Sequence, residues 1–191
     1  TIMELAMMIM EALEEAQQAD PTVTMADLTL LKMDLDATYT LLNIHPAHAS
    51  KFAVELIGGL VFIFLCGVFG WGSTPACFQV VTRALAFEVS KVFRGRAKWY
   101  VDDLMAACLL ANLAYNIEAA TRCCVGLLGS TAIKKTKTES GQRLVFIGYS
   151  VDLGTSMVSM SEKNLLRTVY GFFAIDLSRK VPVRILEKLA S

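Results

Sequence analysis

The chain has 191 residues, of which 54% are hydrophobic and 19% are charged, and its 18 basic and 18 acidic residues give a formal net charge of zero. This composition excludes a disordered chain and predicts one well-packed domain, or one and a half. The zero net charge excludes a global basic field that would attract polyanions, and leaves local basic patches open.

The cysteines and the N-terminus indicate the compartment. The five cysteines are odd in number, lack CxxC spacing and lie in apolar surroundings. They predict reduced, buried thiols of an intracellular protein rather than a disulfide framework or a zinc site. The chain begins with Thr1 and has no basic segment leading into an apolar one. We therefore expect no signal peptide and interpret the chain as a fragment of a longer polypeptide.

The first third of the chain predicts a helix and then strands. Residues 1–19 carry apolar side chains at helical spacing, and Thr1 and Glu4 have the spacing of a capping box. The segment LTLLKMDL, residues 28–35, predicts a strand with Asp34 near its end.

The next segment raises the question of a membrane. Residues 56–71 carry no charge but include four glycines, and a spanning helix needs about 20 apolar residues. We therefore interpret residues 52–68 as two buried strands joined through Gly58-Gly59 or ending near Gly67. A small membrane protein built around this run is an alternative that requires the run to be helical.

The middle of the chain predicts a helix and a hairpin. A glycine-rich loop leads to Ser73 or Thr74 as the N-cap of a helix that has proline in its first turn and extends to about residue 90. The segments AKWYV and LMAACLL predict two short strands, with Asp102 and Asp103 at the tip of the hairpin between them.

The remaining segments complete an α+β pattern. Residues 111–128 predict an amphipathic helix, and the basic segment 134–143 predicts a loop. The segments LVFIGYSVDL and MVSM predict a hairpin, Ser161 caps a helix of roughly 162–174, and residues 177–191 predict a short terminal helix. This order of elements predicts an antiparallel sheet with helices packed on one face.

Three carboxylates are the candidates for chemistry. Asp34 at a strand end and Asp102-Asp103 at a hairpin tip can meet on neighbouring central strands of such a sheet. Three carboxylates at one rim need a counter-charge, which hard divalent cations supply. Two such ions activate an attacking oxygen and stabilise a leaving one in phosphoryl transfer. The alternative interpretation is a set of scattered surface acids.

Four segments occur in an order that chance rarely produces. They resemble, in turn, the first aspartate motif, the Phe-Gly loop and helix, the catalytic box and the late hairpin of the reverse transcriptases of retrotransposons. These segments are KMDLDATYTLLNIHP, FGWGSTPACFQ, YVDD and GQRLVFIGYSVDL.

The resemblance implies a fold and an activity. The fold is a ferredoxin-like polymerase palm over residues 1–160, with 161–191 as a C-terminal helical segment at the start of a connection or thumb. We expect the fingers, most of the thumb, and any RNase H or integrase region to be missing from this sequence. The activity is RNA-directed DNA synthesis with Mg²⁺ or Mn²⁺, in which the 3′-OH of a primer on an RNA or DNA template attacks a dNTP and pyrophosphate leaves. No membrane is involved.

The resemblance also implies residue roles at the catalytic centre. Asp34 and Asp102 would bind both metals, Asp103 would assist, and the backbone carbonyl of Leu35 would complete a metal shell. Tyr39 would be the steric gate that excludes a ribose 2′-OH; its alternative role is that of a core tyrosine.

Further roles concern the substrate strands. Gly70 would let the backbone approach the nascent base pair, and Gln79 would touch the template unless it is merely an exposed helix residue. Lys137, or Lys135 if no gap is allowed, would lie near the triphosphate unless both belong to a solvated loop. The primer grip would consist of Phe146, Ile147 and Gly148.

Other features are less specific. Basic residues within 91–98 and 134–143 would contact phosphates or serve solubility. His45 and His48 have an HxxH spacing but no third ligand, so we expect no metal there. Asp36-Ala37 and Gly67-Val68 depart from the usual motifs and affect the expected nucleotide fit rather than the metal site.

A second hypothesis is a catalytically inactive remnant of a retroelement that keeps the palm fold and binds nucleic acid. The neutral charge and the missing fingers favour it, whereas the three aspartates and the aromatic gate oppose it.

Overall fold

The structure is a computed structural model that describes residues 2–36, 38–68 and 70–173. Short 3₁₀ turns connect several of its elements, among them Thr38–Leu41, Pro46–Phe52 and Lys135–Lys137. The helices and strands, in chain order, are α1 (Ile2–Ala19), β1 (Leu28–Asp34), β2 (Ala53–Glu55), β3 (Val61–Ile63), α2 (Thr74–Ser90), β4 (Arg96–Tyr100), β5 (Asp103–Leu109), α3 (Leu113–Leu128), β6 (Glu139–Gly141), β7 (Arg143–Phe146), β8 (Tyr149–Asp152), β9 (Met157–Met160) and α4 (Glu162–Phe173).

The central sheet is antiparallel and has the strand order β4-β5-β1-β6. Strands β1 and β5 pair along their whole length, from Leu28 opposite Leu109 to Asp34 opposite Asp103. Both strands are buried at nearly every position on both faces, although β1 also carries Thr29, Lys32 and Asp34. Burial on both faces is the reason why neither strand alternates apolar and polar residues.

Each face of this sheet supports a separate core. Alternate residues of β1, such as Leu28 and Leu30, pack with α1 and with strands β7 and β8. The intervening residues, such as Leu31 and Met33, pack with α2 and α3. The predicted α+β class with an antiparallel sheet is confirmed. Helices α2 and α3 share one face as predicted, whereas α1 packs on the opposite face.

A second sheet has the order β7-β8-β9 and stands beside the first. The Gln142 side chain, just before β7, donates to the backbone carbonyls of Ala26 and Leu28 at 2.9 and 2.6 Å. Helix α4 follows β9, and the Ser161 N–H before it donates to the Gly148 carbonyl at 2.9 Å. The Gln142 bonds fix the start of β7 to the start of β1, and the Ser161 bond fixes the turn between β7 and β8 to the start of α4.

The apolar segment at 52–68 forms a hairpin rather than a helix. Strands β2 and β3 pair with Val54 opposite Phe62, and Gly58 and Gly59 lie between them at φ +87° and +75°. The prediction of buried strands was wrong, because all six strand residues are exposed. An apolar pattern reports a preference for burial, while burial itself requires a covering element, and no further strand pairs with this hairpin among the described residues. No helix in the described ranges is both long and apolar enough to cross a membrane.

Other predictions need smaller corrections. The basic loop contains a short strand, β6, which pairs with β1. The Ser73 side chain makes no capping hydrogen bond, and the Thr74 hydroxyl instead donates to the Val68 carbonyl at 3.1 Å. The cysteines are free, but Cys77 is exposed rather than buried. The predicted roles of Thr1 and of a helix at 177–191 lie outside the described residues.

Candidate active site

The register of two central strands brings the first pair of aspartates together. Asp34 ends β1 and Asp103 begins β5, and the two are direct partners in the antiparallel pair. Side chains of directly opposed residues project from the same face of a sheet. Asp103, rather than Asp102, is therefore the residue directly across from Asp34.

Asp102 lies in the turn that precedes β5. Tyr100 pairs with Asp103, so the hairpin turn consists of Val101 and Asp102. Two-residue hairpin turns need positive φ values, and Val101 adopts φ +55°, a conformation that β-branched residues rarely take. Local strain of this kind persists where the surrounding structure enforces it, and here it is concentrated at the tip that carries Asp102.

A backbone hydrogen bond fixes this tip to the end of β1. The Leu35 N–H donates to the Asp102 carbonyl at 3.0 Å. Leu35 is itself buried, next to Phe78 and Leu85 of α2. The three aspartates therefore lie on two backbone segments that are hydrogen-bonded to each other up to their ends.

The charges around Asp103 oppose each other. Burial raises the pKa of its carboxyl, and the negative charges of Asp102 and Asp34 act in the same direction. Lys32 and Lys137 lower it. Lys32 lies two residues before Asp34 on β1, and residues two apart in a strand share a face. Its ammonium group is therefore a counter-charge on the same side of the sheet. The sequence analysis did not identify Lys32, although its position two residues before Asp34 was visible in the sequence.

Lys137 contacts Asp34 directly. Its Nζ forms an ion pair with Oδ2 of Asp34, and the hydrogen bond and negative charge of Asp34 raise the pKa of this ammonium group. The loop that contains Lys135 and Lys137 therefore reaches the aspartates. The side chain of Lys135 lies outside what the structure describes.

Tyr39 lies close to the turn that carries Asp102. Its ring packs edge-on against Phe78, with 6.2 Å between the ring centroids. Burial raises the pKa of its phenol, and the charge of Asp102 raises it further. A Cβ at Gly67 would lie 2.7 Å from the Tyr39 carbonyl oxygen, so a glycine is required where this loop passes Tyr39.

The other predicted nucleotide contacts, Gly70 and Gln79, are exposed. Gly70 adopts φ +91°, and a Cβ there would meet nothing within 4 Å. The conformation explains the glycine, and the open space leaves room for a ligand. Gln79 is exposed on α2.

The predicted primer grip is the turn between β7 and β8. Phe146 is buried against the core on the α1 side, while Ile147 and Gly148 adopt φ +48° and +80°. A cavity of about 470 Å³ lies between this turn, the N-terminus of α1 and Tyr100 of the YVDD segment. The turn therefore faces the hairpin that carries Asp102.

Two further sets of candidates have local roles. His45 accepts the Ala47 N–H through Nδ1 at 3.3 Å. In the predicted basic cluster, Arg96 pairs with Glu15 at 2.9 Å, and Arg94 stacks over the Tyr115 ring at 4.1 Å. These arginines hold elements of the chain together.

The donor chemistry of the aspartates fits a divalent metal. No group of three or more His, Cys, Asp or Glu side chains converges closely enough to hold an ion within the described ranges. Mg²⁺, however, is usually bound by one or two carboxylates together with substrate phosphates. Asp34 and Asp103, opposed on one face, supply such a pair of hard oxygen ligands.

A buried amide that the sequence did not reveal as important supports the hairpin that carries Asp102. The Asn116 side chain on α3 accepts from the Arg94 N–H at 2.8 Å and donates to the Arg94 carbonyl at 2.9 Å. Arg94 lies just before β4, the strand that leads to Asp102. The sequence offered one sign of this role, a polar residue on the apolar face of α3.

Comparison with known sequences finds no matching family model. The chain is 27% identical over 143 residues to Protein P of duck hepatitis B virus, strain United States/DHBV-16, a match that covers 73% of this chain and 17% of that protein. Protein P of the strain Germany/DHBV-3 is also 27% identical, with 73% and 18% covered. The chain thus spans less than a fifth of the length of these relatives. Both are viral, and an origin in a retrotransposon stays a prediction.

Comparison with solved structures identifies the fold. A foamy viral protease-reverse transcriptase in complex with dsDNA superposes with a TM-score of 0.64 at 13% identity, covering 85% of this chain and 31% of that one. The same type of protein in complex with an RNA/DNA hybrid gives 0.61. Apo telomerase from Candida tropicalis gives 0.60 at 12% identity, with 84% and 40% covered. The chain therefore has the fold of these polymerase domains, and its architecture is consistent with a palm fragment.

Proposed function

We propose that residues 1–160 are the palm of an RNA-directed DNA polymerase from a retroelement, and that residues 161–191 begin its connection or thumb. The observation that carries the proposal is the pairing of Asp34 with Asp103 at the end of two buried central strands, with Asp102 in the adjoining turn. Carboxylates are rarely placed beside each other in a buried region without a cation to bind.

The substrates follow from the same assignment. The foamy viral relatives in structure were solved with dsDNA and with an RNA/DNA hybrid, and we assign a primer–template of this kind to the present chain. The second substrate is a dNTP, and the primer 3′-OH attacks its α-phosphate with loss of pyrophosphate. We assign the reaction to an intracellular compartment, because dNTPs and nucleic acid templates are found there.

The chain's own oxygen atoms would hold the catalytic cations. Asp34 and Asp102 would hold the Mg²⁺ or Mn²⁺ ions, with Asp103 and the Leu35 carbonyl as additional ligands. When bound, these ions supply charge stabilisation for the attacking and leaving oxygens. The backbone pairing between β1 and the Val101-Asp102 turn positions the carboxylates before any substrate arrives, and such preorganisation lowers the cost of assembling the site.

Other residues would orient the substrates. Tyr39, beside Asp102, would occupy the space of a ribose 2′-OH, and Gly70 would let the backbone approach the new base pair. Gln79 would contact the template, and Lys137 would face the triphosphate. The primer 3′ end would rest on the turn that contains Phe146, Ile147 and Gly148.

Primer extension on an RNA template tests this proposal. Because the chain spans less than a fifth of the length of its viral relatives, the assay uses the complete open reading frame, with dNTPs and Mg²⁺ or Mn²⁺. We expect template-directed extension by the parent protein. In Asp102→Asn, extension falls by more than about 100-fold, since even outer partners of metal ligands are worth 10- to 100-fold.

A matched control removes an acid away from the site. Asp152 lies at the end of β8, and its carboxylate accepts the Thr155 N–H at 3.2 Å. Asp152→Asn should extend primers at the parental rate. No extension by the folded parent protein would reject the polymerase and leave the inactive remnant. Equal extension by Asp102→Asn would reject the assignment of Asp102.

A further inference from the structure

The loop that carries Lys137 is fastened to β1 on both sides of the lysine. Before it, the Lys134 N–H donates to the Asp34 carbonyl at 2.9 Å, and Leu35 bridges to Ile133. After it, β6 pairs with β1, with Glu139 opposite Lys32. The 3₁₀ turn Lys135–Lys137 is thus a short excursion from the edge of the strand that ends in Asp34. This geometry keeps the lysine next to that carboxylate.

The two partners of the ion pair differ in their environment. The Asp34 side chain is 6% exposed, whereas that of Lys137 is 56% exposed. The pair of Lys134, on the same loop, and Asp36, just after β1, is different, with a separation of 3.7 Å and exposures of 43% and 46%. The Asp34 carboxylate is therefore fixed in the structure, while the Lys137 ammonium group can leave it for solvent without disturbing the core.

The Lys137 ammonium group occupies an oxygen of Asp34, Oδ2, that a divalent ion would also need. A divalent ion on Asp34 Oδ2 would stand where the ammonium group now lies, and like charges at contact distance repel strongly in a half-buried site. Resting on the proposed function, which makes Asp34 a metal ligand, we propose that Lys137 competes with the divalent metal for Asp34. In the metal-free protein the lysine neutralises the buried carboxylate, and metal binding displaces it.

This competition has a definite thermodynamic consequence. The metal must break the Lys137–Asp34 pair before it binds, so the free energy of that pair is subtracted from the affinity for the metal. Removal of the ammonium group should therefore strengthen metal binding. Coupling between two sites typically amounts to a factor of 5 or more, and we expect a decrease of about 5-fold in the Kd for Mn²⁺.

Calorimetric titration of the full chain with Mn²⁺, without nucleotide, measures this effect. The variants are Lys137→Met and Lys137→Gln, which remove the charge but keep the length of the side chain. Both should bind Mn²⁺ about 5-fold more tightly than the parent. Lys134→Met is the matched control and should stay within about 2-fold of the parent. The double variant Asp34→Asn with Lys137→Met should lose the gain in Mn²⁺ affinity, which would assign that gain to Asp34.

Each contrary result overturns the inference. It fails if Lys137→Met and Lys137→Gln bind Mn²⁺ no more tightly than the parent, or if none of the proteins binds Mn²⁺. It also fails if Lys134→Met gives the same gain, because the effect would then be one of general charge. Tighter binding in both Lys137 variants, together with no primer extension by the parent, would support the competition and reject the polymerase.

Discussion

Replacing Asn116 by alanine tests whether α3 holds the start of the strand that leads to the acidic turn. Asn116 has 0% exposure, and its amide makes two hydrogen bonds to the backbone of Arg94. Each bond is worth about 1 kcal/mol. Truncation also leaves the Arg94 N–H and carbonyl without these partners and opens a small void, so the total loss of unfolding free energy should be about 2–4 kcal/mol.

Urea denaturation followed by circular dichroism measures this loss. Asn112→Ala is the matched control, because Asn112 precedes α3 without a side-chain capping bond and its replacement should change the unfolding free energy by less than about 0.5 kcal/mol. If Asn116→Ala costs no more than the control, the Arg94 backbone does not depend on α3 and the reasoning is refuted.

Three further predictions concern other parts of the chain. Gly148→Ala forces φ +80° on an L-residue and brings its Cβ against an amide of α4, so the variant should lose about 1–2 kcal/mol of unfolding free energy in urea denaturation. Gly154→Ala is the control, because its φ is not positive. An equal loss there would contradict the conformational cause. Burial raises the pKa of the Cys124 thiol to about 12, so its reactive thiolate is scarce at pH 8. Iodoacetamide should therefore modify exposed Cys77 first, and Cys124 should react faster only as the pH rises or the chain unfolds. Mass spectrometry of the alkylated native protein measures the order, and modification of Cys124 before Cys77 would contradict the prediction. Tyr39→Ala should lower the preference for dNTPs over rNTPs by about 10-fold or more in primer extension, and an unchanged ratio would return Tyr39 to the role of a core tyrosine.

Local patterns were enough for most elements. The apolar spacing of α1, the glycine-rich entry to α2 and the short apolar runs around Asp102 each report a structure formed by neighbours in sequence. Strand β6 was not foreseen, because ESG is polar and short and becomes a strand only where it meets the free edge of β1. The hairpin β2–β3 shows the opposite error, since its residues are apolar but remain uncovered.

The sequence predicted that the aspartates meet on neighbouring central strands, but not which of them lie opposite each other. The ordered motifs singled out Asp34 and the Asp102-Asp103 pair, but no pattern in the sequence sets the register between two strands about seventy residues apart. That register places Asp103, not Asp102, opposite Asp34. A one-residue shift would have turned one of them to the other face.

By itself the sequence determined most of the elements, their order, the family that the motifs resemble and the acidic chemistry of the hairpin tip, because these depend on neighbouring residues and their spacing. Tertiary structure alone decided which carboxylates face each other, that Lys137 reaches Asp34, and that Asn116 supports β4. Each of these contacts joins residues distant in the chain, and such contacts arise only when the sheet register and the packing of its two faces bring separate segments together.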